Sequence, residues 1–81
     1  MKVKMDKVDD IKSFVRIATN TSLDVILTSG RWVVDGKSLL GILSLDLSKP
    51  ITCQIGDKDS DASEVSKVIA QIKSLGVIVE D

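Results

Sequence analysis

Two stretches of this chain carry apolar residues along one side of a helix and polar residues along the other. In the first, Val8, Ile11, Val15 and Ala18 recur at helical spacing, Phe14 and Ile17 widen the stripe, and Lys12, Arg16 and Asn20 fall opposite. The second runs through Ala62, Val65, Val68, Ile69, Ile72 and Leu75. A one-faced helix must bury its stripe against another layer, and the segments between these helices supply one. Leu23 to Thr28 is rich in branched apolar residues, Arg31 to Asp35 returns after a Ser29-Gly30 turn, and Ile51-Thr52-Cys53-Gln54-Ile55 alternates with period two. Lys2 to Met5 alternates too, with Val3 and Met5 on one face. The pattern predicts helices over Asp9–Thr19, over Leu39–Leu47 and from Ala62, with Gly76 just past the last one. Gly41 weakens the middle helix, and Ser48-Lys49-Pro50 stops it. Val77-Ile78-Val79 reads either as a short edge strand or as a tail packed back on the core.

At 81 residues this is one small domain, which buries only about 60% of its unfolded surface. The 11 basic and 12 acidic residues leave a net charge of −1, with no case for a nucleic-acid face. Phe14 and Trp32 are the only aromatics, so a base-stacking platform is not expected; Trp32 reads as a core or hairpin-packing residue. The lone Cys53 excludes an internal disulfide and a cysteine-based zinc site, and reads as a small buried hydrophobe. No run is long enough to span a membrane, and Met1–Asp6 has no apolar run suited to a signal peptide. The expected setting is a reducing cytoplasm.

Two motifs come close to known chemistry and miss. Gly36-Lys37-Ser38 has the end of a phosphate-binding loop, but Arg31 stands where its first glycine is needed, and Gly30 is one place too early. Asp57, Asp59 and Asp61 imitate the start of a calcium loop, but Ala62 replaces the glycine and Val68 the bidentate glutamate. No metal or cofactor is expected. Asp61 or Ser60 instead caps the last helix, with Glu64 three residues beyond Asp61.

The segment Val34-Asp35-Gly36-Lys37-Ser38-Leu39-Leu40-Gly41-Ile42-Leu43-Ser44-Leu45 has a strand end, a tight turn, a serine ready to cap a helix, and a short leucine-rich helix. It resembles the regulatory-serine segment of HPr, the small phosphocarrier of the bacterial sugar phosphotransferase system. The resemblance is carried most clearly by Asp24 to Leu45 and extends over nearly the whole chain. It implies one HPr-like domain over residues 1–81, of α+β class. The implied architecture is an open-faced two-layer sandwich ordered β-α-β-β-α-β-α, with an antiparallel four-stranded sheet covered on one face by three helices.

The resemblance also exposes what is missing. HPr carries its phosphoryl group on a histidine just before the first helix, in a Gly-x-His-Ala-Arg-Pro-Ala motif. This chain has no histidine. Counted back from Ser38 without gaps, Lys7 falls at the histidine, Asp9 at the arginine and Asp10 at the proline. A protonated ammonium has no lone pair to accept a phosphoryl group, and the carboxylates repel one. The chain is therefore not expected to be an enzyme or a phosphocarrier by the usual route. Asp6, Asp9 and Asp10 read as favourable charges at a helix start, and Lys7 as a solvated charge.

Ser38 falls where HPr carries its regulatory serine, the target of a dedicated kinase, and so is the candidate phosphorylation site. A serine there also has a purely structural reading as an N-cap. Leu39, Leu40 and Leu43 are the candidate partner-binding residues, with Ile42 and Leu45 assigned to the core; the alternative for the leucines is core filling plus a homodimer contact. The implied partners are proteins, an HPr kinase or a transcriptional regulator among them. The implied function is a non-catalytic regulatory or interaction module related to the phosphotransferase system. The alternatives are a phosphocarrier using a non-histidine site and a structural homodimeric domain.

Overall fold

The computed structural model describes residues 1–80. Eight elements follow one another: β1 (Lys2–Val3), α1 (Val8–Thr19), β2 (Val25–Ser29), β3 (Trp32–Asp35), α2 (Leu39–Leu43), β4 (Ile51–Ile55), α3 (Ala62–Lys73) and β5 (Ile78–Glu80). The strands form one antiparallel sheet in the order β3-β2-β4-β1-β5.

Side-chain alternation places the core on one face of this sheet. Val3, Val25, Leu27, Ile51 and Cys53 point inward and are buried, whereas Lys2, Thr52 and Gln54 are exposed on the opposite face. The inward set joins Ile11, Phe14 and Ala18 of α1, Ile42 of α2, and Val68 and Ile72 of α3 in a single apolar cluster. The three helices thus lie together on one face and leave the other open.

The sheet has five strands where four were expected. β5 lies antiparallel to β1 on its outer side, so Val77-Ile78-Val79 leads into an edge strand; Lys2 faces Glu80 and Val3 faces Ile78 across an irregular register. The Lys4 N–H extends this pairing to the Val77 carbonyl at 2.8 Å, and Val77 is buried. β1 itself is shorter than the alternation predicted, although Met5 is still buried.

The middle helix is also shorter than expected, ending at Leu43 rather than Leu47. The Ser44 hydroxyl donates to the Gly41 carbonyl at 2.6 Å, competing with continuation of the helix. Asp46 then accepts the Ser48 N–H and hydroxyl, bonds that hold its exposed carboxyl below the usual carboxylate range. Ile42 and Leu45 are both buried, as assigned.

Two apolar residues go the other way. Trp32 is 73% exposed, not a core residue: it faces Ser29 at the tip of the β2–β3 hairpin. Val8, placed on the buried stripe by periodicity, is 55% exposed because it opens the first turn of α1.

Candidate functional site

The chain reaches Ser38 through a turn that only glycine permits. The Gly36 N–H donates to the Val25 carbonyl at 2.7 Å, and a Cβ on Gly36 would stand 2.5 Å from Val25 Cγ1. Beyond it the Asp35 carboxylate accepts the Lys37 N–H at 2.8 Å, and the Asp35 carbonyl accepts the Ser38 N–H at 3.0 Å. These bonds deliver Ser38 to the head of α2 with extended backbone angles, φ −106° and ψ 109°. Its Oγ accepts the Gly41 N–H at 3.0 Å, the bond an N-cap makes to a helix's third residue. Ser38 is half-buried. Gly41 keeps the helix close to β3: a Cβ there would lie 3.1 Å from Ser38 Oγ and 3.3 Å from Val34 Cβ.

The three candidate partner-binding leucines are not equivalent. Leu40 is 81% exposed and Leu43 is 44% exposed, whereas Leu39 is half-buried and packs against the core. Leu40 and Leu43 lie one helical turn apart and form an open apolar ridge beyond Ser38.

Lys7 is the N-cap of α1, and that helix packs on α2. The Lys7 backbone is extended (φ −114°, ψ 142°) and its carbonyl accepts the Asp10 and Ile11 N–H groups at 3.1 and 3.2 Å. Its exposed side chain makes no cap bond. Asp9 and Asp10 lie in the first turn, where their charge complements the helix dipole. Asp6 does not cap the helix and pairs with Lys4 instead.

One connection has no counterpart in the periodicity. Lys37 Nζ donates to the Thr21 carbonyl at 3.0 Å. Thr21 is buried; its hydroxyl donates to Glu64 of α3 at 3.1 Å and accepts the Leu23 N–H at 3.2 Å. The residue before Ser38 is thereby tied to the end of α1 and the start of α3. A polar run such as Thr19–Ser22 gives no sign of this in sequence, because any of its hydroxyls could serve.

The remaining polar groups have structural explanations. Asp61 caps α3, accepting the Ser63 and Glu64 N–H groups at 2.8 and 3.4 Å, while Ser60 bonds within its own loop to Asp57. Among the described residues no three carboxylate, histidine or cysteine side chains gather as metal ligands, and no helix is long and apolar enough to cross a membrane. Cys53 is buried, which pushes its thiol up to about 11 despite the N-terminal ammonium nearby.

No protein-family model matches the chain, and neither does any curated protein. Among solved structures it is similar to Crh, the Bacillus subtilis catabolite repression containing protein, whose crystal structure is a dimer with a swapped domain. The two share 22% identity, with a TM-score of 0.62 over 99% of this chain and 90% of Crh. The chain therefore folds as an HPr-like open-faced sandwich, the architecture it shares with Crh.

Proposed function

We propose that this chain is a non-catalytic HPr-like regulatory module related to the phosphotransferase system. It acts in the cytoplasm by binding protein partners through the ridge of Leu40 and Leu43, with Leu39 bracing it from the core side. Phosphorylation of Ser38 controls that binding. The observation that carries this reading is the contrast between two helix heads: a serine hydroxyl beside an open apolar ridge at α2, and at α1 Lys7, the residue that counting back from Ser38 sets against the phosphocarrier histidine. A phosphate on Ser38 would meet the positive end of the helix, leave the fold intact and place charge beside the ridge. An HPr kinase and a transcriptional regulator are the partner classes that suit such a module, and no cofactor is needed.

The deciding experiment is incubation with an HPr kinase and ATP followed by mass spectrometry. The reading expects one phosphate, on Ser38, absent from Ser38→Ala. An unmodified chain, or a phosphate elsewhere, removes Ser38 as the control point. Labelling of the unmodified chain by the general phosphotransferase enzyme would instead establish a phosphocarrier with a non-histidine acceptor. The homodimer alternative rests on the same exposed leucines; light scattering on wild type and Leu40→Asp tests it, and a monomer in both cases excludes α2 as a dimer contact.

A further inference from the structure

We propose that two copies of this chain associate by pairing β3 with β3, antiparallel about a two-fold axis through Val33. The Gly36 N–H bonds to β2, and Gly36 continues the register in which Asp35 faces Ile26 and Val34 faces Leu27. Hydrogen-bonding direction alternates along an antiparallel strand, so the backbone groups of Val34 and Trp32 also point toward β2. Those of Val33 and Asp35 point outward, along a strand that is the edge of the sheet.

The side chains on this edge complement themselves. With Val33 on the axis, Arg31 of each copy faces Asp35 of the other, so both ends of the seam carry an opposite-charge pair. Both residues are exposed and neither joins an ion pair within the chain among the described residues; the Asp35 carboxylate accepts the Lys37 N–H through Oδ1, which leaves Oδ2 for the arginine. On the open face the two Val33 side chains, each 64% exposed, meet across the axis. On the helix face Trp32, 73% exposed, lies against Val34 of the second copy. The Val33 N–H and C=O groups exchange two bonds, and each Asp35 N–H reaches the Arg31 carbonyl opposite. The Asp35 carbonyl is already engaged by Ser38 and adds none. The product is one continuous ten-stranded sheet. It leaves the α2 ridge free and is independent of the function proposed above.

Sedimentation across a concentration series tests this with a charge exchange. Wild type dimerises, Arg31→Asp weakens the dimer about tenfold or more, and Asp35→Arg does the same. The double variant Arg31→Asp/Asp35→Arg recovers the dimer. Val33→Pro removes an N–H that β2 does not use, so it abolishes association while circular dichroism stays native. A wild type that remains monomeric at millimolar concentration overturns the proposal. So does a dimer indifferent to these substitutions, one that Leu40→Asp dissociates, or one that the double variant fails to restore.

Discussion

Gly36 has room for a hydrogen and nothing larger. A methyl there would collide with Val25 Cγ1 and press on the Val25 carbonyl, both fixed in the sheet. Gly36→Ala is expected to cost about 1–3 kcal/mol, read as a lower urea midpoint at unchanged slope. Cys53 sets a pH limit. Its folded thiol titrates at about 11 against an ordinary value of 9.0, so the unfolded chain releases the proton first. Its contribution to stability is whole below pH 9, declines as pH rises from 9 to 11 and is gone above that, a loss of about 2–3 kcal/mol. Urea unfolding of wild type and Cys53→Ala across that range checks this: the difference between them should shrink by that amount as pH rises. The chemistry of Cys53 was legible in the sequence, because a thiol alternating with polar residues on a strand faces the core. Trp32 and Val8 were not, because periodicity says which side a residue faces and not how far the opposing layer extends.

Among the elements, α2 is the most dependent on its surroundings. Five residues are too few to hold a helix alone, so the Ser38 cap and the anchoring of Ile42 maintain it. Ser38→Ala should lower stability by about 0.5–2 kcal/mol, whereas Ser38→Asp, which keeps an acceptor at the cap, should unfold close to wild type in a thermal melt. Such a result would also qualify the aspartate variant as a folded stand-in for the Ser38 phosphate proposed above. Asp61→Ala should cost a similar amount at α3, where both first-turn bonds are lost. The long helices, the hairpin and β4 stand close to where hydrophobic spacing put them, since each repeats its signal over two or more periods. The end of α2 was hidden by a local competition, the Ser44 hydroxyl against the next helical N–H, which leucine content does not reveal. The same leucines looked alike in sequence, yet Leu39 packs on the core and Leu40 faces outward, a distinction of about one hundred degrees around a helix whose tilt the sequence does not encode.

At the scale of the molecule, the order of apolar patterns was sufficient for the two-layer arrangement, but not for the number of strands. Three residues give too short an alternation to separate a strand from a packed tail, and only the uncovered side of β1 decides it. Removing residues from Val77 onward should therefore lower stability by about 2–4 kcal/mol, through loss of buried Val77 and its neighbours. Hydrogen exchange would localise the change, with the Lys4 amide losing its acceptor and exchanging much faster. The knot of bonds at Thr21 bears on how the chain could be rewired. By composition, Asn20–Leu23 resembles any surface loop, the kind of place chosen for new termini or an inserted tag. It is instead where three distant stretches are riveted together, and opening the backbone there would free all of them at once. Within one chain the tip at Gly30-Arg31 is tied to its own hairpin alone, so new termini there would spare the fold, at the cost of the β3 seam proposed above.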